Sequence, residues 1–236
     1  MTDSERKRRP AGNPMDGTPQ PILDFLDKLH ELSLEQERKW TRDDFDGKTE
    51  AEKTAFVADK FVALEKDKAH FVYSMARAID ARTIVEAGTS YGVSTIYLAL
   101  ATAANAASGQ GKGATVIATE HEPAKAAKAR EYWAECGDEV SSVIDLREGD
   151  LRETLKENME DVDMLLLDIW TPMVMPTLRL VQPKLRRGAV IIADNTTVAE
   201  GYDDFIAYMR DPQNGFVNIT VPYSNGLEMS IYQPKN

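Results

Sequence analysis

Apolar residues first recur at helical spacing. Ile22, Phe25, Leu26, Leu29 and Leu32, between Pro21 and Trp40, form one stripe that needs a body to pack on. The same reading predicts a second helix from about Thr49 to Leu64 and a third from about Lys68 to Ile79. From Arg82 the pattern changes to short β-branched or apolar runs: RTIVEAG, ATVIATE, SSVIDLREGD, VDMLLLDIW and GAVIIADN, most of them separated by helical segments. That alternation predicts a doubly wound parallel sheet. At the end, FVNITVPY and LEMSIYQ flank Ser224-Asn225-Gly226, and Asn-Gly between two strand-like runs predicts a hairpin. The expected fold is therefore α/β: a Rossmann-like seven-stranded sheet with a C-terminal antiparallel hairpin and N-terminal capping helices. The small residues of AANAASGQGKGA, before Thr115, read as a surface loop.

Length and composition narrow this picture. A chain of 236 residues suits one sizeable domain. Residues 1–20 read as a disordered tail, residues 21–80 as capping helices and residues 81–236 as the Rossmann-like core. The net charge of −11 argues against nucleic acid, because phosphate binding depends on clustered Lys and Arg. The basic run Arg6-Lys7-Arg8-Arg9 lies in the expected tail and reads as solvated. No apolar run approaches the ~20 residues of a membrane span. The early charges and the lone Cys136, which has no disulfide partner within the chain, point to a reducing, cytoplasmic setting.

Two strand ends carry candidate chemistry. LLLDIW delivers Asp168 and VIIADN delivers Asp194-Asn195, each acid following a buried-type apolar run. On adjacent strands, roughly 5 Å apart, both carboxylates reach one point. Two carboxylates and a carboxamide favour Mg²⁺, with Ca²⁺ or Mn²⁺ as alternatives to it, over zinc. The plainer reading of each residue is a turn or helix cap.

The first strand leads into Glu86-Ala87-Gly88-Thr89-Ser90-Tyr91-Gly92-Val93-Ser94. This E-x-G-x-x-x-G loop differs from the dinucleotide fingerprint, and its acid would repel a pyrophosphate and attract an ammonium or sulfonium group. Glu120 ends the second strand, where an acid accepts ribose hydroxyls. Arg147-Glu148-Gly149-Asp150-Leu151 ends the third, where it would border an adenine. In that order the three positions describe S-adenosylmethionine.

VEAGTSYGVS, ATEHEP, LLLDIW, VIIADN and NGLEMSIY together resemble the motifs of cation-dependent catechol and caffeoyl-CoA type O-methyltransferases, over roughly residues 64–233. The resemblance implies that Asp168, Asp194 and Asn195 are metal ligands. It implies that Glu86, Gly88, Ser94, Glu120, Leu151 and Trp170 touch the methyl donor, with Ser90 in the same loop, Leu64 on the entry side and Asp150 bordering the adenine. GLEMSIY resembles the catechol branch, in which its Glu, here Glu228, binds a substrate hydroxyl. Two positions depart from the pattern: Thr171 stands where these families carry a Lys, and Ala199 where the caffeoyl-CoA branch carries an Asn.

The expected reaction is metal-assisted methyl transfer to a small catechol-like or other vicinal-hydroxyl aromatic substrate. Asp168 and Asn195 serve it through the cation, and Glu228 or water takes the proton. Trp170 and Met173 could wall a flat substrate. With Thr171 in place of Lys, lower efficiency or a changed substrate is expected. His30, His70 and His121 are poor candidates for the base, since the first two lie in helical patterns and the last on the cofactor side. The alternatives are a methyl-donor-binding protein with little catalysis and an NAD-dependent oxidoreductase; a metal-dependent hydrolase lacks the ligands such sites gather. The N-terminal helices could cover the site or form a homodimer contact.

Overall fold

The computed structural model describes residues 12–109, 113–199 and 201–235. Three helices open the chain, α1 (Gln20–Glu37), α2 (Glu50–Val57) and α3 (Lys66–Ala78). Then β1 (Thr83–Ala87), α4 (Val93–Ser108), β2 (Thr115–Glu120), α5 (Pro123–Glu135), α6 (Asp138–Ser141) and β3 (Ile144–Glu148) alternate. They are followed by α7 (Leu151–Thr154), β4 (Val162–Leu167), α8 (Thr171–Val181) and β5 (Leu185–Asp194). The chain closes with α9 (Asp203–Arg210), β6 (Phe216–Val221) and β7 (Leu227–Tyr232).

The seven strands form one sheet in the order β3-β2-β1-β4-β5-β7-β6. β1 to β5 run parallel, and β7 lies antiparallel to both β5 and β6. The expected doubly wound sheet with its hairpin is therefore the fold observed. β4 is buried along its whole length, as a central parallel strand covered on both faces must be. One apolar core lies under α1, α3, α4 and α5, the other under α8 and α9. The strand order reverses between β1 and β4, so the crevice at their carboxyl ends is the place where such sheets bind ligands.

Several local expectations shift. α4 continues to Ser108, so the first half of the expected 103–114 loop is helical: its alanines favour helix, and the buried Asn105 amide donates to the carbonyls of Ala76 and Ala81 at 3.0 and 2.8 Å. The second helix ends at Val57, and the chain then runs without regular structure to Leu64. Its start is held by a capping box, in which Thr49 and Glu52 bond each other's backbone N–H. Of the expected tail, residues 1–11 lie outside the described residues, and Met15 is wholly buried in the core. Among the described residues, no helix is long and apolar enough to cross a membrane.

Candidate active site

The loop after β1 is built by close approach. A Cβ on Gly88, whose φ is +94°, would lie 2.0 Å from the Asp168 carbonyl oxygen, so only glycine lets the ends of β1 and β4 come this near. Gly92 (φ +78°) caps α4 against Trp133, whose indole donates to the Gly92 carbonyl at 3.0 Å. Between them Ser90 takes a left-handed φ of 50°, and its backbone N–H donates to Glu120 at 2.7 Å. The other Glu120 oxygen accepts from the Glu122 N–H at 2.8 Å. Each oxygen keeps a lone pair for a further donor such as a ribose hydroxyl. Burial first, against the help of these N–H groups and Lys125, holds the Glu120 carboxyl above the usual range.

Glu86 lies beneath the loop. Its carboxylate has no accessible surface and accepts from the hydroxyls of Ser94 (2.6 Å), Thr95 (2.5 Å) and Thr89 (2.8 Å). It braces the loop from beneath, and Ser94 is engaged with it. Burial, opposed by these three hydroxyls, raises its pKa. Leu64 is likewise core rather than surface. Asp150 caps α7 and is bound by Arg152 through the guanidinium at 2.6 Å, which holds its carboxyl down at about 2. Leu151 packs partly buried on the second core, and Trp170 stands half-buried at the start of α8. The Gly149 N–H donates to the Glu120 carbonyl at 2.8 Å, which brings the third strand end beside the second.

The acid cluster lies next to that loop. β4 and β5 are adjacent, Leu167 pairs with Ala193, and Asp168 and Asp194 follow at the same edge. The Asn195 amide donates to one Asp194 oxygen at 3.0 Å. The other Asp194 oxygen faces Lys68 of α3 at 2.6 Å, and the same ammonium lies 2.8 Å from Glu65. Both contacts are close ion pairs with poor hydrogen-bond alignment, so neither the ammonium nor that Asp194 oxygen has a well-directed partner. Burial acts to discharge Lys68; the carboxylates of Asp194 and Glu65 outweigh it and raise its pKa. Asp168 keeps some accessible surface, yet desolvation, followed by the charges of Asp194 and Glu65, holds its carboxyl well above the usual range. Tyr202 is buried nearby, and burial, then the charges of Asp168 and Asp194, raise its pKa.

Sequence reasoning missed Lys68, Glu65 and Tyr202. A signal for Lys68 existed: it falls on the stripe of Val72 and Ala76, at the i, i+4 and i+8 positions of α3, where a charge has no business unless paired. Glu228, in contrast, is not brought to the cluster. It pairs in register with Ala193, the neighbour of Asp194, so its side chain leaves the opposite face of the sheet. There it accepts from Arg210 (2.9 Å) and Thr220 (2.6 Å).

Does the cluster fit a divalent ion? Its donor types do, but both oxygens of Asp194 are already engaged, one by an ammonium. The residues as arranged do not fit a divalent ion, and no step is assigned to one. The glycine loop does fit a nucleoside-bearing donor: Gly88 is partly exposed, Glu120 offers free lone pairs, and the buried Ser90 hydroxyl has no partner.

Residues 85–196 match the family model of the methyltransferase domain. The methyltransferase PaMTH1 of Podospora anserina, solved with S-adenosylhomocysteine, superposes with a TM-score of 0.65 at 15% identity, over 93% of this chain and 92% of that one. The O-methyltransferase TomG of Streptomyces achromogenes, involved in tomaymycin synthesis and solved with S-adenosylmethionine, gives 0.62 at 22% identity, over 84% and 99%. The Bacillus cereus O-methyltransferase, solved with S-adenosylhomocysteine, gives 0.62 at 19%, over 87% and 100%. At these identities the likeness establishes the fold alone. No curated protein matches the chain in sequence.

Proposed function

We propose that the chain is an S-adenosylmethionine-dependent O-methyltransferase for a small hydroxylated aromatic substrate, such as a catechol. One observation carries the reading: at Gly88 the donor-type loop touches the backbone of Asp168, so loop and acid cluster form one continuous site. The bound donor supplies an electrophilic methyl group on a sulfonium. The chain's own residues do the rest. Ser90, Glu120 and the loop backbone hold the donor, while Trp170 and Met173, both half-buried beyond Asp168, offer an apolar wall to a ring. A hydroxyl placed over Asp168 can pass its proton to that carboxylate, whose raised pKa makes it a better base than an ordinary Asp. The metal assistance expected from the strand ends is not part of this reading, because Lys68 already holds Asp194.

Thr171 favours a second reading, donor binding without transfer. It lies beside Gly201, where a Cβ would approach its hydroxyl to 2.7 Å, and it carries no group able to take a proton. Calorimetry with S-adenosylhomocysteine and NAD, followed by methyl-transfer assays on a panel of catechols and monophenols, tests both. Binding of S-adenosylhomocysteine with transfer to a phenolic oxygen supports the proposal. Binding without transfer to any of them supports the second reading, and binding of NAD alone would refute both.

A further inference from the structure

Lys68 is the most unusual side chain in the molecule. It is wholly buried, stands on an otherwise apolar stripe of α3, and reaches the carboxyl edge of the sheet. Removing an ammonium from water is costly unless opposite charges and hydrogen-bond acceptors replace the water. Asp194 and Glu65 supply the charges at 2.6 and 2.8 Å, and the Asp168 carboxylate adds to the same negative field. Both contacts are close but poorly directed, so the ammonium is held mainly by charge.

The geometry points to Lys68 as the resident cation of this site: its ammonium pairs with Asp194 in place of a divalent ion, so methyl transfer needs no metal. This rests on the methyltransferase reading for its reaction, but not for its metal chemistry. Three features support it together. The ammonium contacts the Asp194 oxygen that a metal would use, Asn195 occupies the other oxygen, and Glu65 adds a second carboxylate that anchors Lys68 in place. The Ser224 hydroxyl donates to Glu65 at 3.2 Å from the β6–β7 turn, so the anchor is itself held. The balance of the reaction is simple. The substrate oxygen forms the new bond to the methyl carbon, the carbon–sulfur bond breaks with its electron pair going to sulfur, and the hydroxyl proton passes to Asp168.

Electron paramagnetic resonance of Mn²⁺ decides the metal question on the whole protein, before any assay. Wild type at millimolar Mn²⁺ should leave the free-ion spectrum unchanged. Lys68→Ala, or Lys68→Gln should the first fail to fold, should gain one stoichiometric Mn²⁺ site, which Asp194→Asn in the same background removes. Mn²⁺ bound by wild type and lost in Asp194→Asn would overturn the inference. A folded Lys68 variant that gains no site would also overturn it, since the lysine would then not be what keeps the ion out. Methyl transfer by wild type should survive chelation, and loss restored by Mg²⁺ would count against the inference. Calorimetry with S-adenosylhomocysteine separates the two levels: if that ligand fails to bind, the methyltransferase reading falls while the Mn²⁺ result still stands.

Discussion

At the scale of single residues, what matters in this site is which atoms are allowed to come close. Gly88 is the sharpest case, because the positive φ and the 2.0 Å approach to the Asp168 carbonyl each exclude a side chain. Gly88→Ala should cost about 2–5 kcal/mol, combining left-handed strain of about 1–2 kcal/mol with overpacking of about 1–3 kcal/mol. Denaturant unfolding measures it, and a loss under 1 kcal/mol would show that the two strand ends can part cheaply. The sequence placed Gly88, Ser90, Glu120, Asp168, Asp194 and Asn195 at or just beyond strand ends, as observed, because short motifs there say where a side chain emerges. It could not announce that three hydroxyls would enclose Glu86, which depends on how the loop folds back over β1, nor that Lys68 would join Asp194, which depends on neighbours distant in sequence. Asp163 makes the same point on a single strand. Near the start of β4 it accepts from the backbone N–H groups of Arg82 and Thr83 at 2.7 and 2.8 Å and is paired with Arg186, a purely structural clamp, whereas Asp168 just past the other end faces the site.

Among the elements, the segment between α2 and α3 has the most to do with the donor loop. Phe61 stacks on Tyr91 of that loop with ring centroids 4.6 Å apart and planes 8° from parallel. The Tyr91 hydroxyl donates to the Asp59 carbonyl at 3.3 Å, and Lys125 donates to the Val57 carbonyl at 3.0 Å. The segment's other side is tied to α1, where the Gln36 side chain accepts from the Phe61 N–H and the Ser33 hydroxyl accepts from the Ala63 N–H. Phe61→Ala should therefore lose about 3 kcal/mol of stability and weaken S-adenosylhomocysteine about tenfold, as the loop loses the ring that orders it. Paired unfolding and calorimetry check this; unchanged affinity with reduced stability would show that the stack serves packing alone. The helical periodicity of residues 49–64 suggests one continuous helix, but tertiary contacts after Val57 outbid it, because extended backbone is what places Phe61 over Tyr91.

For the whole molecule, two of the three N-terminal helices, α1 and α3, pack into the core. Met15, Phe25, Leu26 and Leu29 are buried with Tyr97 of α4, and His30 of α1 meets the Tyr97 hydroxyl at 2.9 Å. Burial first, then the Lys66 ammonium, with His70 adding a smaller push and Asp27 opposing, lowers the His30 pKa from 6.5 to about 4. The folded protein thus binds this proton less tightly than the unfolded chain. The contribution is fully present above about pH 6.5 and is lost as the pH falls towards 4; the gap amounts to about 3 kcal/mol. Unfolding free energies measured across that range should fall less steeply in His30→Gln, and identical slopes would refute the assignment. The sequence by itself determined the alternation of strands and helices, the closing hairpin and the glycine loop with its following acids, because each is written in local periodicity or in a short motif. Only the tertiary structure decided that Glu228 leaves the far face of the sheet, that α1 and α3 share the core, and that a lysine from α3 stands among the strand-end acids. Those outcomes rest on strand register, on packing and on charges meeting across long separations in the chain, which no local pattern encodes.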